Sequence, residues 1–349
     1  AIELRQLRKR PTQGPIRISR TDAIDEVTAR TERGRFHLRP SARANDLILG
    51  CIARAQEHYP VRLHAFVFMS NHYHMLVSTD DARQLSNFTG FVNGNVAREI
   101  NRLNDHSGAI WRKRFRAIPI NNDDVTQRAR LRYLLAHGVK EGLVDSAQEW
   151  PGASSLPWLL EGHDVTGVWV DRTAMGLAKR RGARVSESQF ERRITLRFDP
   201  MPCFAGLAAE KWRGEIAAIV DDILAEFAPA APRPKTLVVP SRRSVGRDAV
   251  LAMDPMTRPP KMQYTRAPTV HAHSGTVRRE WAVWLGGIRR DYHVASVAFR
   301  RGDFSAPFPP GVFRPHASFV PLPPQETGVF VGPCPAPQTR SEAARRGTL

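Results

Sequence analysis

The chain has 349 residues and a formal net charge of +18, with 52 Lys and Arg against 34 Asp and Glu, so it is long enough for one or two domains with a real core. Arginine supplies most of that charge, which points to a polyanion partner, nucleic acid first, with a merely basic surface as the plainer alternative. Cys51, Cys203 and Cys334 are far apart and unpatterned, which excludes a disulfide framework; no run is long enough to span a membrane and the basic start lacks an apolar signal core.

Residues 1–21 form a basic arm without periodicity, with Arg5, Arg8, Lys9 and Arg10, read either as a phosphate-touching tail or as disorder. Ile24 to Leu38 alternates as a strand, with Gly34 as a turn. Ser41 caps a helix to about Tyr59, with an apolar stripe of Leu47, Ile48, Cys51, Ile52 and Ala55, and Pro60 stops it. Residues 65–77 read as two apolar strands joined by a tight Ser70-Asn71 turn. Asp80 and Asp81 lead into a second helix, in which Leu85, Phe88, Val92, Val96 and Ile100 fall three and four apart. After the basic run 111–116, an apolar stretch to Ile120 reads as a fourth strand. A helix over 124–143 follows, capped by Asp123 or Asp124, with Gly138 as a break or kink. The order β-α-β-β-α-β plus a helix predicts an α+β domain over 22–160, an antiparallel sheet with helices on one face.

Beyond it, residues 149–175, with Trp150, Trp158 and Trp169, read as closing loops. Residues 161–228 read as a helical extension with a helix near Leu207 to Phe227. An Ala/Pro linker is predicted over 229–240, a basic region of unassigned function over 241–320, and a disordered Pro-rich tail over 321–349. The basic region holds a helical stretch, Arg278 to Arg301, with interleaved aromatics.

The chemistry concentrates in two stretches. In a strand, residues i and i+2 face the same way, so His72 and His74 project side by side while Tyr73 turns into the packing. Two imidazoles on one rigid strand make half a metal site. On the later helix, Tyr133 and His137 stand four apart and share a face. A tyrosine beside a third ligand is a nucleophile with its activating ion, the set needed to cut a phosphodiester. The plainer alternatives are a core tyrosine and, for His137, an imidazolium favoured by the helix C-terminus. Asn71 suits the turn itself, the orientation of a histidine, or a DNA contact. Arg112, Lys113, Arg114 and Arg116 suit phosphate binding with Trp111 as a stacking platform, or else a solvated basic edge with a buried Trp.

Ser70-Asn71-His72-Tyr73-His74, joined to Arg132-Tyr133, Gly142-Leu143-Val144 and Trp150-Pro151, resembles the single-tyrosine HUH transposases, and among them the REP-associated tyrosine transposases of bacteria. The resemblance covers about residues 22–160. It implies a ferredoxin-like domain that binds single-stranded DNA, often beside a hairpin, with a divalent ion, Mg2+ or Mn2+, held by His72, His74 and a third ligand at position 137. It also implies a 5′-phosphotyrosine intermediate on Tyr133 that stores bond energy for rejoining, with no nucleotide cofactor. One departure stands out: close relatives often carry Asn-Pro where this chain has His137-Gly138, and nitrogen ligands shift preference from magnesium towards manganese or zinc.

Two other readings stay open at this stage. One is a catalytically silent DNA-binding protein. The other is a replication initiator or relaxase, which the single tyrosine and its place after the histidines disfavour. The expected setting is the cytoplasm, at the nucleoid, as a monomer or homodimer without membrane contact.

Overall fold

The computed structural model describes residues 16, 18, 24–79, 81–227, 244–260 and 268–315. Most of the basic arm, Asp80, the Ala/Pro linker and the Pro-rich tail lie outside the described residues.

Strand β1 (Ile24–Arg30) is followed by helix α1 (Ala42–His58), the hairpin of β2 (Arg62–Phe68) and β3 (His72–Ser78), helix α2 (Ala82–Leu103), strand β4 (Arg116–Ile120) and helix α3 (Asp124–Leu135). The four strands form one antiparallel sheet in the order β2-β3-β1-β4. This is the predicted α+β arrangement, a split β-α-β unit in which β3 lies between β1 and β2.

The first strand is shorter than its alternation suggests. It stops at Arg30 because Arg33 and Gly34 adopt φ of 55° and 71°, which turn the chain away from the sheet. Helix α1 begins where Ser41 Oγ accepts from the Ala44 amide at 3.1 Å, and α2 where the Asp81 carboxylate accepts from Arg83 at 2.8 Å.

Alternation divides the sheet into two faces. Val27, Phe66, Phe68, Tyr73, Met75 and Val77 point to one, where the stripes of α1 and α2 cover them. The two crossover helices therefore share one face, as expected. On the other face Ala65, Val67, Leu76 and Ile120 pack against Leu131, Leu134 and Leu135 of α3. The same cluster takes in Trp212, Ile216, Val220 and Ile223 of the helix Ala209–Phe227. That helix is clamped to α3 by the ion pairs Arg128–Glu215 and Arg132–Glu226.

The region expected as loops and a helical extension also contains a hairpin of strands β5 (Thr166–Val170) and β6 (Glu191–Thr195). Its backbone lies directly on α1. A Cβ on Gly50 would stand 2.0 Å from Val168 O, and one on Gly167 2.0 Å from Gly50 N. Only two glycines permit that contact, and nothing in the local periodicity announces it. Arg172 ties the hairpin region to α2 through Glu99 and to its own loop through Glu187. No helix among the described residues is long and apolar enough to cross a membrane.

Candidate active site

The second face of the sheet carries the chemistry. The register places Val67, His74, Thr28 and Arg116 in one row across β2, β3, β1 and β4, with His72 opposite Arg30 in the row beside it. The turn before β3 holds His72 in a fixed orientation. The His72 Nδ1–H donates to Asn71 Oδ1 at 2.6 Å, and the Asn71 amide donates to Gly34 O at 3.1 Å. With Nδ1 protonated, the His72 Nε2 lone pair faces the site.

His74 is held in the same way by a residue that local reading misses. Its Nδ1 lies 2.6 Å from Glu26 Oε1, and Glu26 is only 3% exposed. Arg130 of α3 donates to the other carboxylate oxygen at 2.5 Å, and His271 Nε2 stands 2.8 Å from it. Burial alone would raise the Glu26 carboxyl, but His271, His74 and the Arg130 guanidinium outweigh it and hold it well below the usual carboxylate range. A carboxylate–histidine pair of this kind is the usual support of a metal-ligating imidazole.

The third imidazole comes from the helix. Helix α3 ends at Leu135, and a further turn, α4 (His137–Lys140), continues past Ala136. The break thus falls at Ala136 and not at Gly138. Gly138 is buried in α4, where a Cβ would meet Val144 Cγ2 at 3.0 Å and the Trp150 ring at 3.3 Å. The turn closes where Leu143 N donates to Gly138 O and Gly142 N to Val139 O, both at 2.9 Å. Gly142 supplies the φ of 66° that this Schellman closure requires.

His137 Nε2 lies 2.7 Å from His72 Nε2. The ligand atoms of His72, His74 and His137 all lie within 4.8 Å of one another, the one such cluster among the described residues. Burial and the neighbouring charged groups push both His72 and His137 well below the ordinary histidine pKa, so both are neutral and have lone pairs to offer. Two neutral ring nitrogens 2.7 Å apart share one proton or one ion. The donor set therefore fits a divalent cation with nitrogen preference. His137 differs from its partners in one respect: its Nδ1 is buried without a hydrogen-bond partner.

Tyr133 adjoins this cluster, its ring centroid 5.6 Å from that of His74 and 5.3 Å from that of His137. Arg130 lies over the ring at 4.0 Å and Lys140 Nζ at 4.7 Å. Burial, with Glu26 and Glu141, raises the phenol above its usual pKa against the opposing pull of Arg130, so the hydroxyl is protonated at neutral pH. Tyr73 lies on the opposite face, 0% exposed, and donates to Asn93 Oδ1 at 2.9 Å.

The structure brings Asn71, His72, His74, Tyr133 and His137 together. Asn71 combines the turn with the orientation of His72 and leaves its amide committed to protein groups. Trp111 is half-buried on the face away from the histidines: its indole N–H donates to Asn93 O at 2.8 Å and its ring meets Tyr73 edge-on. Arg112, Lys113, Arg114 and Arg116 are exposed, and Arg116 leaves β4 on the histidine face. Glu26 and His271 were missed. The signal for Glu26 was an acid, next to Asp25, in a strand that is otherwise mostly buried; for His271 there was none in the local pattern.

Residues 36–134 match the sequence model of the family described as transposase, IS200-like. No curated protein is similar to the chain at a significant level. Among solved structures, a REP-associated tyrosine transposase bound to a REP hairpin is similar at 17% identity and a TM-score of 0.31, over 42% of this chain and 82% of that one. A protein assigned as a transposase from Deinococcus radiodurans R1 is similar at 14% identity and a TM-score of 0.25, over 36% and 92%. The family match takes in both strand histidines and Tyr133 and stops short of Glu26, His137 and His271. The segment that bears His72, His74 and Tyr133 is thus similar to the IS200-like transposase family.

Proposed function

We propose that the protein is a transposase that cuts and rejoins single-stranded DNA beside hairpin-forming repeats. It acts through a covalent 5′-phosphotyrosine on Tyr133, with Mg2+ or Mn2+ held by His72, His74 and His137. The observation that supports this most is the convergence of three imidazoles from a strand and a helix beside a tyrosine one helical turn from the third. When bound, the ion neutralises charge on the scissile phosphate and lowers the cost of the charge that builds up in the transition state.

The protein's own groups do the rest. Asn71 and Glu26 orient two of the ligands. Arg130 and Lys140 flank the Tyr133 ring and favour the approach of a phosphate anion. The Tyr133 oxygen forms a bond to phosphorus as the bond from phosphorus to the 3′ oxygen breaks. The phenol gives up its proton and the leaving oxygen takes one up as a 3′-OH. One phosphodiester is exchanged for another, so a later 3′-OH can reverse the step without a nucleotide cofactor.

A labelled oligonucleotide with a hairpin and a single-stranded flank tests this directly. It should become covalently attached to the protein, in denaturing gels, only when a divalent ion is present. Binding should weaken with salt by a log–log slope of about −0.7 per phosphate contacted, and blunt duplex of equal length should bind less well. Salt-sensitive binding without an adduct under any divalent ion would favour the silent DNA-binding reading.

The third ligand has its own test. His137→Ala should raise the manganese needed for half-maximal adduct formation about 10-fold or more, by analogy with the loss of metal-supporting groups. His137→Gln should recover part of that, because an amide oxygen can coordinate. Superimposable titrations for the three proteins would remove His137 from the site.

A further inference from the structure

The basic C-terminal region reaches the same site. Residue 271 forms a parallel bridge with Ile120 at the end of β4. The His271 amide donates to Pro119 O at 2.7 Å, and His271 O accepts from the Asn121 amide at 2.8 Å. Two residues on, the His273 amide donates to Thr126 Oγ1, in the first turn of α3, at 2.9 Å. The segment is thus pinned to a strand and to the tyrosine helix by backbone bonds. Just beyond it Ser274 caps a long helix, Gly275–Arg300.

That anchoring delivers one side chain inward. The His271 imidazole is 13% exposed, and its Nε2 lies 2.8 Å from Glu26 Oε2 as an ion-pair contact without hydrogen-bond geometry. Glu26 therefore has His74 on one oxygen and both Arg130 and His271 on the other. A carboxylate with only Arg130 on its second oxygen could pivot about its last side-chain torsion, which is broad for glutamate. Contacts from two directions restrict that rotation.

We propose that His271 is a positioning residue for the metal site. It steadies the Glu26 carboxylate so that Oε1 stays aimed at His74 Nδ1 and His74 Nε2 stays aimed at the ion. The C-terminal region is then part of the active site and not an appended module, although the family match ends well before it. This inference rests on the reading of His72, His74 and His137 as an ion site. The competing account gives all of the work to the backbone bonds of residues 271 and 273 and none to the imidazole.

The test uses Co2+ as probe on the full chain, with wild type, His271→Phe and His271→Gln compared. Phe keeps a ring of similar size and removes the nitrogen; Gln keeps an N–H donor. The readouts are the visible absorption of bound Co2+, its titration, and the melting temperature without metal. Wild type should bind Co2+, His271→Phe should bind about 10-fold more weakly with an altered spectrum, and His271→Gln should stay within about threefold of wild type. A His271→Phe titration and spectrum that superimpose on wild type would overturn the proposal. So would a Gln variant as weak as Phe with an equal fall in metal-free melting temperature. Wild type that binds no Co2+ would instead sink the ion site itself, and the inference with it. Should His271→Phe fail to fold, nitrogen-15 spectra of the wild-type imidazoles decide: a proton on His271 Nε2 is expected, and a bare Nε2 overturns the assignment.

Discussion

Tyr133→Phe abolishes the covalent protein–DNA adduct and leaves affinity for the same oligonucleotide nearly unchanged. The substitution removes one oxygen and keeps the ring that Arg130 and Lys140 flank. Binding through phosphate contacts is therefore preserved while the nucleophile is lost. Tyr73 cannot substitute, because it lies on the far side of the sheet with its hydroxyl donated to Asn93. A denaturing gel reads the outcome directly. An adduct that persists in Tyr133→Phe would refute the assignment of the nucleophile, and peptide mapping would then locate the true one.

Glu26→Gln has the next largest effect, and on two quantities at once. The carboxylate accepts from His74 on one oxygen and faces Arg130 and His271 with the other. An amide can satisfy His74 with its oxygen only by turning its NH2 towards the Arg130 donor and His271, or satisfy Arg130 only by abandoning His74. Leaving a buried charge unpaired in this way costs about 3 kcal/mol. Metal affinity should fall about 10-fold or more, as when a ligating histidine loses its support. The stability effect has a definite pH dependence. A carboxyl held well below its ordinary 4.5 when folded stabilises the protein at every pH above that value and loses the contribution as acid approaches the folded pKa. The gap between wild type and Glu26→Gln should be widest near neutral pH and narrow below about 4.5 in chemical denaturation. A gap independent of pH would show that the charge of Glu26 is not what the network uses.

What was legible beforehand had a local cause. The hairpin around Ser70-Asn71, the caps at Ser41 and Asp81, and the stripe from Leu85 to Ile100 depend on neighbours a few residues away. The pairing of His72 with His74, and of Tyr133 with His137, follows from strand and helix periods alone. That the two pairs meet does not, and the resemblance supplied it. Glu26 could not be found in this way because its partner His74 is 48 residues distant, and an acid in a strand reads as a solvent-facing position. Trp111 shows the opposite case. It sits beside four basic residues in sequence, but its ring faces Tyr73 and the crossover helices. The β5–β6 hairpin escaped because its position on α1 depends on Gly50 and Gly167 meeting, a tertiary event with no local signature.

The two sources of ligands differ in their freedom to yield. His72 and His74 stand on an inner strand, bonded along both edges and covered on both faces, and each ring is held by a side-chain acceptor. Their separation is a fixed dimension of the sheet. His137 stands after the break at Ala136, on a four-residue turn, with no partner for its second nitrogen. If the site holds an ion as proposed, ions of different radius would be accommodated by a small shift of that turn against Trp150 and Val144. On the proposed reading of these three imidazoles as an ion site, discrimination between a larger ion such as manganese and a smaller one such as magnesium would be set by the packing behind Gly138, outside the ligand sphere itself.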